Sequence, residues 1–518
     1  MADERHQHER PGLERSAAGS HNPWLVAVIV SMATFMEVLD TSVANVSLQH
    51  IAGTMAASLD ESTWVLTSYL VSNAIILPIS GWLSHVVGRK RFYMLCVGLF
   101  GASSLLCGMA PTLGWLVFFR VLQGFGGGGL APSEQAILAD SFPPEKRGLA
   151  FALYGIAVVV APTLGPTLGG WITDTSTWRW IFFINVPVCA LSLFLSGWIL
   201  VDPPAVRKDR EDMLRGGLKV DLLGFSLAAV GLGCLQVVLD KGERDDWFSS
   251  DFILVFALVS GICLVSLVLW ELHTEDPIVD LPLMRIRHFA ACMAVMFATG
   301  FILISTTQLI PQFLQTMMSY TALKAGLALT AGGFATLAMM PVSGALLRHV
   351  QPKYLIIFGL TVEALACLYL RGFDTEMSFG HAAIGRMFQG VGLPFLFVPI
   401  STASYSGLPP GKSNNASALI NTMRNLGGSF GISVATTLLA RRDQFHHVRL
   451  ASSITPFSPG YQLHPSLSLT VIAQYVEQQA QMWSYVDIFN MLAIFAAAGI
   501  PFALLLKHVN TTQSHGAH

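Results

Sequence analysis

Apolar residues in this chain come in runs long enough to cross a bilayer, separated by shorter polar stretches. A helix needs about 20 mainly apolar residues to span the roughly 30 Å hydrocarbon layer. Such runs fall at 24–46, 62–84, 92–110, 113–139, 149–172 and 180–200, and then at 220–239 and 252–271. Six more follow at 289–312, 325–347, 354–370, 379–403, 415–440 and 486–506. The pattern predicts an all-α polytopic membrane protein of fourteen transmembrane helices. The stretch 441–485 is the one sizeable segment outside the predicted spans, and it has room for helix of its own.

Basic residues orient the chain. Arg89, Lys90, Arg91, Lys146, Arg147, Arg207, Lys208, Arg210, Arg215, Lys219, Arg285, Arg287, Arg348, Lys353 and Lys412 fall on one side. Arg179, Lys241, Arg244, Lys324 and Arg371 fall in the short connections on the other. Short loops rich in Lys and Arg stay in the cytoplasm, so both termini are expected inside. Arg441, Arg442 and Arg449 run against the bias, but long translocated segments obey it poorly.

The chain also repeats itself. Ser80-Gly81-Trp82-Leu83 is echoed by Ser343-Gly344-Ala345-Leu346, Arg120-Val-Leu-Gln123-Gly124 by Arg386-Met-Phe-Gln389-Gly390, and Pro143-Pro144-Glu145-Lys146 by Pro409-Pro410-Gly411-Lys412. Three echoes in order at nearly one offset imply two homologous six-helix halves, a common plan for transporters whose substrate site lies between the repeats. The expected organisation is a tail at 1–23, a bundle at 24–200, a linker with two extra helices at 201–288, a second bundle at 289–508 that includes the outer loop 441–485, and a tail at 509–518.

Composition narrows the function classes. Of 518 residues 53% are hydrophobic and 12% charged, about half the charged share of a soluble domain. The net charge of −2 gives no basic excess for nucleic acid. All seven cysteines lie inside apolar runs, which argues against a disulfide framework or a metal site. The stretch 1–22 is polar, with both charge signs and no apolar core, and reads as a solvated tail. No His-Glu-x-x-His constellation suggests an enzyme. Gly124–Gly129 satisfies a dinucleotide pattern but follows a helical run rather than a strand, and small residues in a membrane helix serve close packing. Gly407–Ser413 is one residue short of a phosphate loop. No cofactor is expected, and an ion gradient is the implied energy source.

Ionisable residues deep in a membrane are costly and point to function. Glu37 and Asp40 lie three apart on one face of the first span. At 1.5 Å per residue Asp40 is about 24 Å from the inner end of its helix, and Arg120 about 12 Å from the outer end of an antiparallel one, so their depths agree. The residues leave two readings open: a fixed ion pair that positions helices, or a carboxylate that titrates as Arg120 approaches and withdraws. The fifth span carries Gly155, Pro162, Gly165, Pro166, Gly169 and Gly170; its prolines remove backbone bonds and should bend it, and its glycines allow tight contact. Gln308, Gln312, Met339, Asn421, Arg386 and Arg424 are candidates for a substrate-facing wall.

Together these residues resemble the major facilitator superfamily, and within it the fourteen-helix drug:proton antiporters of the EmrB/QacA type, over nearly the whole chain. Gly81, Gly88, Arg89, Lys90 and Arg91 match the gating-loop signature, Phe119–Gly128 the fourth-helix motif, Gly155–Gly170 the antiporter motif, and Leu39–Val46 the first-helix motif of the drug-exporting branch. Trp178–Pro187 and Asp246–Ser250 fit the EmrB branch. The resemblance implies two six-helix bundles rocking about a central cavity, with Arg120 and Asp40 in proton coupling and Glu37 assisting. It implies export of small amphipathic compounds across a bacterial inner membrane, together with a periplasmic adaptor (EmrA-like) and an outer-membrane channel (TolC-like). Export of one metabolite or siderophore, or nutrient uptake, are the alternatives; the antiporter motif disfavours uptake. Two departures stand out. His85 replaces the usual acid of the loop signature, so the inner gate must be latched differently and gains a group that titrates near neutrality; Gln49 replaces a proline in the first-helix motif.

Overall fold

A computed structural model describes residues 22–202, 207, 210–211, 221–274, 277–374, 377–408, 412–454 and 468–506. Among them every regular element is helical. The two tails, most of the basic stretch between 203 and 220, and Pro409-Pro410-Gly411 of the third echo lie outside the described residues.

The first half runs α1 (Pro23–Val46), two short helices α2 (Leu48–Thr54) and α3 (Leu59–Ser62), α4 (Trp64–Val87), α5 (Arg89–Met109), α6 (Leu113–Gly127), α7 (Leu130–Ser141), α8 (Pro144–Thr175), α9 (Trp180–Phe183) and α10 (Asn185–Ile199). The inserted pair is α11 (Leu222–Lys241) and α12 (Asp251–Glu271). The second half runs α13 (Arg287–Thr316), α14 (Ala322–Leu346), α15 (Pro352–Leu370), α16 (Phe379–Gly392), α17 (Pro394–Ser404), α18 (Ser413–Ser453) and α19 (Leu469–Leu504).

Twelve helical stretches among the described residues are long and apolar enough to cross a membrane. The other two expected crossings are present as helix but fail for separate physical reasons. The run 113–139 is not one helix: it is interrupted between Gly127 and Leu130, where glycines press against neighbouring backbones. A Cβ on Gly126 would stand 2.6 Å from the Phe100 nitrogen, and one on Gly128 2.8 Å from the Asn73 carbonyl. The glycine run therefore serves close helix approach. The run 415–440 is too polar, carrying Asn414, Asn421, Arg424 and Asn425 on a helix that begins at Ser413. The run 379–403 is likewise divided, at Leu393 before Pro394.

The stretch 441–485 does hold helix of its own, as extensions of the flanking helices. Helix α18 continues without a break to Ser453, and α19 starts at Leu469 rather than near 486. Forty-one residues of α18 extend about 60 Å, twice the hydrocarbon thickness. The two helices thus project together as a hairpin, tied by Arg442 to Asp487 at 3.2 Å, His446 to Asp487 at 2.9 Å and His447 to Glu477 at 3.7 Å. A cavity of about 470 Å³ opens where it meets the outer end of α13, lined by residues including Thr316, Met317, His447 and Glu477.

Packing inside each half is helix on helix, and apolar side chains such as Phe194, Trp198, Ile262 and Ile494 point outward. In water such a surface would drive association; in hydrocarbon it is the expected exterior. Helix α8 packs along α1 within its half and along α14 across the seam, while α18 packs on α13, α4 and α7. Helix α11 lies against α4 and reaches α18, where Ser429 donates to the Gln236 carbonyl at 3.0 Å. Helix α12 is the most lipid-exposed of the twelve, with 17% of its apolar window buried.

Candidate functional site

Helix α1 places Glu37 and Asp40 one turn apart, both buried. Asp40 meets three donors from two other helices. Arg120 Nη1 of α6 donates to its Oδ2 at 2.5 Å; Asn185 Nδ2 of α10 and Gln123 Nε2 of α6 donate to its Oδ1 at 2.6 and 3.1 Å. The Arg120 guanidinium is itself held from several sides. Its Nε donates to the Val65 backbone carbonyl at 3.0 Å, Nη1 also donates to the Gln123 side-chain Oε1 at 2.8 Å, and the Tyr69 ring lies 4.3 Å beneath it. Nη2 has no partner among the described residues. A buried carboxylate with charge-assisted donors is stabilised as an ion, whereas a broken buried pair costs about 3–5 kcal/mol. The depth argument from the sequence thus ends in direct contact between Asp40 and Arg120.

Glu37 belongs to an adjoining network rather than to the ion pair. Its Oε1 accepts from the Tyr69 hydroxyl at 3.1 Å and from Asn73 Nδ2 at 3.3 Å. Asn73 then accepts from Asn425 Nδ2 of α18 at 3.4 Å, which carries the chain of hydrogen bonds into the second half. Tyr69 joins the two acids, with its hydroxyl on Glu37 and its ring face under Arg120.

Further inward the halves are bolted together. Asn421 of α18 donates to the Gln135 side chain at 2.9 Å and accepts from the Tyr154 hydroxyl at 2.9 Å. Arg424 Nη1 donates to that hydroxyl at 2.6 Å, and Ser417 donates to the Pro132 carbonyl at 2.5 Å. At the end of α7, Asp140 pairs with Arg89 and accepts from Ser413 of α18 at 3.2 Å. Arg89 also donates to the Ala136 carbonyl at 3.2 Å. Asp140 therefore supplies the acid that the loop signature lacks at His85. Lys90 caps a neighbouring turn, its backbone N–H donating to Asp202 at 2.8 Å and its ammonium to the Gly197 carbonyl at 2.7 Å. Gly88 sits at φ +94°, a conformation that suits glycine. Arg91 starts α5 beside them, and Arg210 donates to the Val86 carbonyl at 3.1 Å.

Two glycines complete the seam at the end where α18 begins. Gly81 of α4 faces the start of α18, where a Cβ would lie 2.8 Å from Asn415 Oδ1 and 3.0 Å from its Cα. Gly344, its counterpart in the repeat, faces the start of α8, with a Cβ 2.9 Å from the Gly148 carbonyl. With the inner ends locked this way, the conformation is closed toward the side on which α18 begins.

The proline-rich segment of α8 remains continuous helix through Thr175. Pro166 has no N–H to offer the carbonyl of Pro162, and Ser42 of α1 donates to that carbonyl at 3.0 Å instead. Gly165 packs on Ser42 and Gly169 on Val43, while Gly155 faces Met340 of α14, 2.6 Å from a Cβ position. Gly170 is buried in the same stretch. The motif thus lies at the meeting of α1, α8 and α14.

The expected wall residues divide. Asn421 and Arg424 cross the seam in this conformation, as described. Arg386 is buried inside the second half, donating to Gln389 at 2.7 Å and to Thr307 at 3.1 Å. Gln308 is exposed, and Gln312 and Met339 are half-buried. Residues that the sequence reading passed over carry much of the site: Gln123, Asn185, Gln135, Asp140, Glu134 (buried and bonded to Ser31) and Glu363. Each is a polar residue inside or at the end of an apolar run, which was the available signal.

Comparison with known proteins agrees with this architecture. Residues 30–432 match the Major Facilitator Superfamily. The multidrug export protein EmrB of Haemophilus influenzae is 38% identical over 92% of this chain and 93% of its own length. EmrB of Escherichia coli is 37% identical, covering 91% of each. The fatty acid resistance protein FarB of Neisseria gonorrhoeae is 38% identical over 84% of each. Among solved structures, the proton:xylose symporter XylE superimposes with a TM-score of 0.59 at 14% identity, covering 92% of this chain and 96% of that one. Human MFSD10, an organic anion transporter, gives 0.58 at 14% identity, covering 94% and 100%.

Proposed function

The chain belongs to the major facilitator superfamily, in the branch of the EmrB-type exporters, and on that premise we propose that it is a proton-driven antiporter expelling small amphipathic compounds. The observation that carries the reading is the buried constellation of Asp40, Arg120, Gln123 and Asn185. An ionised Asp40 accepts all three donors. A proton on Asp40 turns one acceptor into a donor and weakens the hold on Arg120, which also ties α6 to the Val65 carbonyl of α4 and rests on Tyr69. Tyr69 passes that change to Glu37, Asn73 and, across the seam, Asn425. The proton state of Asp40 thereby biases the contact between the halves, and alternating exposure of a central cavity follows.

The energy is sufficient. A gradient of 100 mV is worth about 2.3 kcal/mol per charge moved, close to a fifty-fold accumulation for one proton per substrate. The substrate class rests on relatives named for multidrug export and for fatty acid resistance. A carrier dedicated to one metabolite or siderophore is the second reading, favoured by the strongly polar inner seam around Asn421 and Arg424.

The proposed setting is a bacterial inner membrane with both termini in the cytoplasm, which puts the α18–α19 hairpin on the periplasmic side. A rigid projection of that length suits a periplasmic adaptor leading to an outer-membrane channel. Deleting the hairpin tip and recovering the adaptor undiminished would discard the partner proposal.

The decisive experiment follows lipophilic dye efflux in cells carrying the protein or Asp40→Asn, with and without an uncoupler. Efflux that needs both the gradient and Asp40 is the expected result. Uncoupler-sensitive efflux that persists in Asp40→Asn removes Asp40 from proton coupling.

A further inference from the structure

The second half holds a buried acid of its own. Glu363 lies on α15 about 16 Å from the start of that helix, and Arg386 on α16 about 10 Å from the start of its antiparallel neighbour, so both sit near mid-depth. Glu363, Arg386 and Gln389 are all buried. Arg386 and Gln389 are the repeat counterparts of Arg120 and Gln123, and they keep the same internal bond, Arg386 Nη1 donating to the Gln389 carbonyl at 2.7 Å where Arg120 does so to Gln123 at 2.8 Å. The acid has moved. At the repeat offsets of 263 to 266, the place of Asp40 falls on Leu303, Ile304, Ser305 or Thr306, none ionisable, and the place of Glu363 falls on Val97, Gly98, Leu99 or Phe100 in the first half. Each half therefore sets one carboxyl against its Arg–Gln pair, from a different helix.

The two carboxyls are bonded in opposite ways. Asp40 accepts three donors, one of them a guanidinium at 2.5 Å. Among the described residues Glu363 Oε2 has a single long contact, from Gln389 Nε2 at 3.5 Å, and Oε1 has no partner. Arg386 turns its second nitrogen to Thr307 at 3.1 Å and makes no ion pair with Glu363. Room is kept around the free oxygen by Gly392, where a Cβ would stand 2.8 Å from Oε1. A buried carboxylate left with one weak donor is very costly, while the neutral acid needs far less. Among the described residues no other charge is near enough to compensate. Helix α17 contains no ionisable residue. On α19, Gly499 is level with Leu360, three residues before Glu363, which leaves Asp487 about 14 Å beyond the level of the acid. Arg386 is the one charge that faces the acid, with the Cys367 thiol on the same helix.

We infer that Glu363 is a second proton-binding site, which loads and releases a proton in each transport cycle alongside Asp40. The inference rests on the proposed proton antiport. In the conformation described here Asp40 is the ion and Glu363 holds the proton. When the halves rock, the Glu363 O–H bond breaks and its proton passes to water admitted to the bundle. The carboxylate left behind takes the Arg386 guanidinium from Thr307 and Gln389. The reverse step reloads the acid. Two carboxyls in opposite states let the carrier exchange protons in both half-reactions.

The test measures protons released per substrate taken up in proteoliposomes, for the wild type and Glu363→Gln, a change that preserves shape and the hydrogen bond to Gln389. Glu363→Gln is expected to exchange still, with its proton ratio lowered by about half. An unchanged ratio in Glu363→Gln overturns the inference and leaves the antiport standing; a wild type that moves no protons overturns the antiport itself. A second readout does not depend on transport. The infrared carbonyl band of a protonated carboxylic acid, recorded on the purified protein, should lose a component in Glu363→Gln that is present in the wild type. Absence of that component in the wild type at neutral pH also overturns the inference.

Discussion

Replacing Gly344 by alanine should drive the protein toward the conformation open at its inner end. The added Cβ would lie 2.9 Å from the Gly148 carbonyl oxygen, 3.1 Å from its carbon and 3.2 Å from the Leu149 Cα. These are backbone atoms of α8, which cannot rotate away as a side chain would. Overpacking of this kind costs about 1–3 kcal/mol. Alanine also gains up to about 1 kcal/mol of helix propensity, but α14 is helical in both conformations, so that term cancels from their ratio. The remaining penalty falls on the closed seam alone and shifts the closed-to-open ratio by about 5- to 150-fold. The assay uses a chain whose seven native cysteines are replaced and that carries Ser417→Cys, a position fully buried in the seam against Pro132. Maleimide reacts with it only when the inner end opens, so the labelling rate reports the open population. Gly261→Ala is the control, because a Cβ there meets nothing within 4 Å. Equal labelling rates in Gly344→Ala and Gly261→Ala would refute both the proposed packing and the assignment of this seam as the inner gate.

Three further outcomes follow from the same contacts. Ser42→Ala leaves the Pro162 carbonyl without its donor inside the membrane and should cost about 1–3 kcal/mol, read as a lower unfolding temperature in detergent, while Ser226→Ala, whose hydroxyl bonds only within an exposed turn, should change little. Arg120→Lys keeps the charge but cannot reach Asp40, Gln123 and the Val65 carbonyl together, so uncoupler-sensitive efflux should fall nearly as far as in Asp40→Asn; retained efflux would show that charge alone suffices. Limited proteolysis should leave 441–453 and 469–484 intact, whereas cleavage within either stretch would contradict the two helices there.

Spans set by bulk hydropathy were legible in the sequence, because crossing a bilayer leaves a length of apolar residues that nothing else requires. What hydropathy cannot reveal is where polar residues are bought out by partners. Helix α18 lacks the apolar composition of a span because Asn421 and Arg424 are satisfied by Gln135 and Tyr154 of the other half, contacts invisible until both halves are assembled. The interruption at Gly128 has the same origin: it is set by the backbone of α4, some fifty residues away. The pairing of Asp40 with Arg120 was accessible from depth alone, since helix rise converts residue number into height. Asn185 was not, because its role depends on the rotation of α10, and rotation leaves no mark in a short run where nearly every position is apolar. The missing acid at position 85 announced a different latch without saying where it would be. Asp140 lies at the far end of another helix and is joined to Arg89 only by the fold.

Glu363 shows the limit most plainly. It stands alone in its run, with no second acid one turn away to mark a face, and its helix is not the one that carries the acid in the first half. A repeat transfers the scaffold, here the Arg–Gln pair on the fourth helix of each half, more faithfully than it transfers the group the scaffold serves. The scaffold is fixed by packing: a Cβ on Gly124 would meet Asn73 N at 3.2 Å, and one on Gly390 would meet Ala335 Cβ at 3.0 Å, so neither arginine's helix can move off its neighbour. The acid needs only to reach a guanidinium at mid-depth, a demand that any helix lining the bundle can meet. On the proposed reading, proton sites can migrate between helices while the arginine stays, and the buried Arg–Gln pair is the better guide for locating a carboxyl that sequence position alone does not predict.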